Sequence, residues 1–196
     1  MSNTGRRLTA EFLGTFTLVF VSAGAIVVNA WTNNGLGLVG AALATALVYA
    51  VMITITMNIS GGHLNPAVTL GVWAARKMDA ATAGMYVATQ LVAAVAAALL
   101  VMLLFPSGAG DATSLGALKI SSDVTMVEAI VLEAILTLVL VSAVFGTVLA
   151  PDAPKVGGFA VGLVLLFAIL VIGPLTGAAL NPARSFGPAI ISGDFE

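Results

Sequence analysis

Cysteine is absent from the 196 residues, which excludes disulfides, thiolate metal ligands and thiol nucleophiles. There is a single histidine, His63, so no zinc-like cluster can be assembled from the usual ligands. Charge is scarce as well: Asp, Glu, Lys and Arg make up 8% of the chain, against about 25% in an ordinary soluble domain. Seven basic and nine acidic residues give a net charge of -2 and no basic face, so nucleic acid is not an expected partner. No cofactor motif stands out, and the chain is not read as an enzyme. What is present is apolar surface, with 60% hydrophobic residues and a mean hydropathy of +1.12. Such a chain has lipid as its solvent.

Five segments approach the roughly 20 residues that a helix needs to cross the hydrocarbon core. They are Leu8–Ala30, Leu36–Met57, Gly84–Phe105, Met126–Leu149 and Val156–Leu175. Met1 to Arg7 followed by Leu8 to Ala25 has the outline of a signal peptide, but Glu11 interrupts the apolar run, and the segment is read as a retained first span. Two further stretches, Asn65–Ala75 and Asn181–Ile191, are too short to cross and begin with a polar residue followed by proline. Segments of about 10–14 residues favour re-entrant helices, and Pro66 and Pro182 occupy the first helical position, where a missing N–H costs nothing.

The halves of the chain resemble each other. Glu11-x-x-x-Thr15 in the first span recurs 122 residues later as Glu133-x-x-x-Thr137. Ser60-Gly61-Gly62-His63-Leu64-Asn65-Pro66-Ala67 recurs 116 residues later as Thr176-Gly177-Ala178-Ala179-Leu180-Asn181-Pro182-Ala183. This predicts one channel domain over 1–196, with a first inverted repeat at 1–105 and a second, incomplete one at 126–196. A symmetric architecture requires a sixth crossing, so the chain is expected to be truncated after Glu196, its native product continuing into another apolar segment. Arg6, Arg7, Arg76, Lys77 and Lys155 fall on one side if the spans alternate, with Lys119 opposing them. The positive-inside rule then places the N-terminus in the cytoplasm, the first short helix entering from that side and the second from outside.

Polar groups and helix ends at membrane depth are tolerated where they line a cavity or a water path. Two short helices meeting near the midplane would aim their free N–H groups and positive dipole ends at one point. The Asn65 and Asn181 amides would then donate to a passing water oxygen, orienting it so that proton relay along the file is broken, while the positive potential rejects cations. The blander reading of both asparagines is N-capping alone. Arg184, one turn beyond Asn181, is expected at an outer constriction, with a snorkelling surface arginine as the alternative. Glu11 and Glu133 are read as scaffold carboxylates for the irregular segments rather than as proton carriers, since titratable neighbours are too few for a relay. His63 is read as a packed loop residue, with a gating or pH role as the other possibility. Gly24, Gly84, Gly146, Gly158 and Gly162 are expected at close helix approaches, and Gly61, Gly62 and Gly177 in backbone turns along the pore.

These motifs carry a specific resemblance. Ser60 to Thr69, Asn181-Pro182-Ala183-Arg184-Ser185-Phe186-Gly187-Pro188 and Ala10-Glu11-Phe12-Leu13-Gly14-Thr15-Phe16 resemble the aquaporin, or major intrinsic protein, family over essentially the whole chain. The resemblance implies an all-α membrane protein, a right-handed bundle of six transmembrane helices plus two re-entrant half-helices, of which the last crossing is absent here. It also implies a homotetramer with one pore per subunit, passing water and small uncharged solutes. The family's aromatic/arginine constriction falls, by spacing, on Thr45, Ile169, Ala178 and Arg184. Thr45 stands where water-specific members carry Phe, and Ile169 where they carry His, which implies a wider and more apolar opening. Ile169 and Ala178 look closest to the plant vacuolar (tonoplast) members, although those usually have His at the position of Thr45. Ser185 and Ala189 instead resemble the water-channel pattern rather than that of a glycerol facilitator. The expected function is therefore a passive channel in the cell membrane conducting water with leakage of glycerol, urea or ammonia. A facilitator with water secondary, a secondary transporter, an ion channel and a purely structural membrane protein are the alternatives.

Overall fold

The computed structural model describes residues 3–154 and 156–195; Lys155, counted above with the charges of one side, lies outside them. The described residues form helices and connecting turns. In chain order these are α1 (Asn3–Trp31), α2 (Gly37–Ser60), α3 (Pro66–Ala74), α4 (Ala80–Leu104), α5 (Ser107–Ala112), a 3-10 turn (Ser114–Gly116), α6 (Met126–Val144) continued by a π-helical segment (Phe145–Leu149), α7 (Phe159–Thr176) and α8 (Pro182–Ser192). Five of them, α1, α2, α4, α6 with its extension, and α7, are long and apolar enough to cross a bilayer. α3 and α8 have 9 and 11 residues. At 1.5 Å per residue they rise about 14 and 17 Å, roughly half of a core about 30 Å thick.

Local chemistry sets the ends. Asn65 is extended and caps α3 by accepting from the Ala67 N–H, and Asn181 caps α8 by accepting from Ala183 and Arg184. Proline follows each cap at the first helical position. Asp79 caps α4 through the Thr82 N–H. That cap starts the helix at Ala80, four residues before the expected Gly84. Thr125 and Glu128 form a reciprocal capping box on α6. α2 and α7 both stop at glycines in the left-handed region, Gly61 (φ 95°) and Gly177 (φ 83°). α5 and the 3-10 turn had no expectation, because a short polar stretch carries no periodic apolar signal.

Little apolar surface separates helices that meet lipid on one face and each other on the other, so packing here rests on close approach rather than on water exclusion. α2 and α7 touch where Gly158 and Gly162 face Ala46 and Ala50; a Cβ on Gly162 would come within 2.7 Å of the Ala46 carbonyl oxygen. α4 meets α8 through Gly187, where a Cβ would lie 2.4 Å from the Ala94 oxygen. Gly24 leaves room for the Phe105 ring. Gly84 and Gly146 do not mark contacts: open space lies on that side of each, and the expectation of close approach fails there. The central cluster joins Leu18, Tyr49, Ile53, Val68, Leu140, Val144, Leu165 and Ile172, with Leu64 and Leu180 from the two segments that precede α3 and α8. Large apolar side chains such as Val51, Ile55, Val92, Leu138 and Val171 are exposed, as on a lipid-facing wall.

The ends of the bundle differ in charge. The Arg7 guanidinium lies 5.8 Å above the ring of Tyr86, near the start of α4. Arg76 and Lys77 precede that same helix start. Lys119 lies beyond the other end of α4, where it pairs with Asp194 at 2.7 Å.

Candidate functional site

Each half-crossing is reached through a segment whose backbone cannot close its own hydrogen bonds, and a buried carboxylate serves each one. Glu11, fully buried on α1, accepts at Oε1 from Ser60 Oγ (2.6 Å) and the His63 N–H (3.0 Å). Its Oε2 accepts from the Leu64 N–H (2.7 Å) and Gln90 Nε2 (2.8 Å). Glu133, half-buried on α6, repeats the pattern: Oε1 accepts from Thr176 Oγ1 (2.6 Å) and the Ala179 N–H (3.0 Å), and Oε2 from the Leu180 N–H (2.9 Å). The backbones also match. Gly62 and Ala178 have φ of 62° and 51°, and Leu64 and Leu180 have 52° and 48°. Left-handed leucines and alanine are disfavoured, so these turns persist because the carboxylates hold the Leu64 and Leu180 N–H groups and the Ser60 and Thr176 hydroxyls hold those of Gly62 and Ala178.

The two segments are tied together crosswise. Asn65 Nδ2 donates to the Leu180 carbonyl at 2.8 Å, and Asn181 Nδ2 donates to the Leu64 carbonyl at 2.9 Å. The two half-crossings therefore meet at their amino ends. Each amide oxygen is engaged in capping, and each NH2 keeps a second N–H beyond its cross-bond. Each asparagine thus caps its own helix and ties it to the other half through one side chain.

A narrow cavity of about 10 Å³ lies at this meeting point, bordered by Asn65, Asn181, Arg184, Thr45, Ala178, Tyr49, Leu18, Leu140 and Leu165. A space of that size admits about one water centre at a time. Arg184 is buried to 6% exposure and its Nη1 donates to the Gly116 carbonyl at 2.8 Å, which removes the lipid-snorkelling alternative. Thr45, Ala178 and Arg184 all border this cavity. Ile169 is half-buried against the central cluster, one turn along α7 from the cavity-lining Leu165. A larger groove of about 540 Å³ runs along Ile130, Glu133, Thr176, Pro182 and Phe186. Its size does not make it the pore, because it lies outside the meeting point of the asparagines.

His63 is a packed residue: Nδ1 lies 3.1 Å from Thr69 Oγ1, the ring meets Tyr86 edge-on at 5.2 Å, and the carbonyl accepts from the Tyr49 hydroxyl. Pro66, Ala67, Pro182 and Ala183 form the first turns of α3 and α8, while Gly61 and Gly62 take the left-handed turns before α3. Sequence reasoning missed Gln90, which donates to both Glu11 and Thr69. A lone amide inside an apolar span was a usable signal. It also missed the Gly116 carbonyl, for which a sequence holds no sign.

Bilayer-length helices around two half-crossings joined at their amino ends define a membrane channel. The chain matches the family model described as major intrinsic protein over residues 1–196 and belongs to that family. It is 39% identical to aquaporin TIP4-4 of Zea mays over 96% of this chain and 76% of the relative. It is 37% identical to nodulin-26 of Glycine max over 97% of this chain and 69% of the relative. Among solved structures, the X-ray structure of the aquaglyceroporin from Plasmodium falciparum superposes with a TM-score of 0.84 at 27% identity, over 96% of this chain and 81% of that one. The chain is a multi-pass integral membrane protein and a passive channel for water and small solutes.

Proposed function

We propose that water and small neutral solutes pass in single file between Asn65 and Asn181, with Arg184, Thr45 and Ala178 as the selecting wall and Ile169 completing it one turn beyond Leu165. The observation that carries this reading is the reciprocal pair of asparagine bonds beside a cavity admitting one water. The remaining N–H of each amide donates to the permeant oxygen, so a water held there points both its protons outward and cannot relay a proton inward. Two helix amino ends and the Arg184 charge make the same point positive, which repels hydronium and metal cations. Thr45 and Ala178 are small, which leaves room for glycerol, urea or ammonia beside water. The relatives' names, an aquaglyceroporin among them, agree with that breadth.

The two halves, 1–105 and 126–196, act as inverted repeats of one channel domain, supported by the matched Glu11 and Glu133 networks. A homotetramer in the cell membrane, with the N-terminus cytoplasmic, follows from the family resemblance and from Arg6, Arg7, Arg76 and Lys77. Stopped-flow light scattering on proteoliposomes, run side by side with water, glycerol and urea gradients, tests the reading. Thr45→Phe should retain water flow and cut glycerol and urea flux about 10-fold or more, a loss of about 1.4 kcal/mol in passage. Reflection of every solute but water by the unmodified channel would sink the broad filter, and saturable counterflow would replace the channel with a carrier.

A further inference from the structure

The carbonyl that holds Arg184 belongs to an unusual piece of backbone. Ser114, Leu115 and Gly116 are successively left-handed, at φ of 48°, 54° and 77°. Only the third is glycine, so this turn stays in place only if its surroundings over-determine it. On one side it is pressed against α1, where a Cβ on Gly116 would meet the Ala23 Cα at 2.8 Å, and Leu115 is buried. On the other it is gripped by a carboxylate. Asp194, directly after the Gly193 that ends α8, accepts from Ser114 Oγ at 2.5 Å and pairs with Lys119 Nζ at 2.7 Å, both through Oδ2. Ser114 and Lys119 flank Gly116 in sequence. α8 thus holds this loop twice, through Asp194 beyond its last turn and through Arg184 in its first.

We propose that Asp194 is a positioning residue for selection: by clamping Ser114 and Lys119 it fixes the Gly116 carbonyl, and through it the Arg184 side chain across the passage. This rests on the reading of Arg184 as part of the selecting wall. The Asn65 and Asn181 meeting point is held separately, by Glu11 and Glu133. Loosening the clamp therefore changes which solutes pass while leaving the water path open.

Proteoliposomes with equal amounts of incorporated channel test this by the ratio of urea to water permeability. Asp194→Ala should shift the ratio about 3-fold or more. Asp194→Asn, which keeps an acceptor for Ser114 but loses the charge for Lys119, should fall between it and the unmodified channel. In an Arg184→Val background Asp194→Ala should change nothing further, since the carboxylate acts only through the arginine. An unchanged ratio in Asp194→Ala, or an equal shift with and without Arg184, would overturn the proposal. Should Asp194→Ala fail to insert, Ser114→Ala makes the same comparison by removing one hydroxyl. Amide hydrogen exchange across residues 114–119 reads the clamp without any flux. Faster exchange in Asp194→Ala is expected, and unchanged exchange also counts against the clamp. A channel that passes neither water nor urea would defeat the permeation reading instead, leaving exchange to judge the clamp.

Discussion

Replacing Glu11 with glutamine keeps the shape of the side chain and turns one acceptor oxygen into a donor. Both oxygens are doubly used, Oε1 by Ser60 and His63 and Oε2 by Leu64 and Gln90. Whichever way the new amide turns, two buried donors face an NH2. Bonds to a charged acceptor are worth about 1.5–3 kcal/mol each, which puts the loss at about 3–6 kcal/mol. Polar pairs inside membrane proteins average only about 0.6 kcal/mol, because the unfolded chain in lipid also finds partners. In either orientation one of the two affected donors is a backbone N–H of an irregular turn, that of His63 or Leu64, so the larger figure should prevail. By the scaling for soluble domains of this size, 3 kcal/mol lowers the unfolding midpoint by about 6–12 °C. The damage should also cross to the other half of the molecule, since Leu64 receives Asn181 on its carbonyl. Thermal unfolding in detergent, paired with water permeability at a temperature where the variant is folded, measures both effects. A Glu11→Gln channel that melts and conducts like the unmodified one would refute the assignment of Glu11 as the scaffold of this loop.

Two further outcomes follow from packing and capping. Gly187→Ala should destabilise the protein by about 1–3 kcal/mol, because its Cβ would meet the Ala94 backbone oxygen at 2.4 Å and push α8 off α4; a detergent melt indistinguishable from the unmodified protein would contradict that contact. The Asp79 carboxyl is held below its usual range by the Thr82 hydroxyl and N–H. A lowered folded-state value means that its contribution to α4 is present at neutral pH and disappears as pH falls through that value. The melting temperature should therefore decline below about pH 4, and less steeply in Asp79→Asn; equal slopes would rule the cap out as the source.

The helices were legible because the membrane imposes a length and an apolar composition on them, and because Asn-Pro marks a helix start on physical grounds. The two asparagines and Arg184 were legible as polar groups out of place in lipid. Spacing from the two motifs reaches Ile169 on α7 but not Leu165, which borders the cavity one turn away on the same face of that helix. Gln90 lies 79 residues from Glu11, a pairing that depends on how α4 leans on α1. Gly116 contributes only a carbonyl, which every residue has. Gly84 and Gly146 show the opposite error, since a small residue on a helix permits a close neighbour without supplying one.

The absence of cysteine offers the most direct test of a passage between the asparagines. Ala178→Cys would place a lone thiol on the wall of the constriction, and Ser122→Cys would place it in the exposed turn before α6, outside the spans. Water permeability of proteoliposomes is measured before and after a small water-soluble thiol reagent, with labelling quantified by mass. The account predicts that labelled Ala178→Cys loses most of its water flux and recovers it on reduction, while labelled Ser122→Cys is unaffected. Full labelling at Ala178→Cys with undiminished flux would mean that water takes another route.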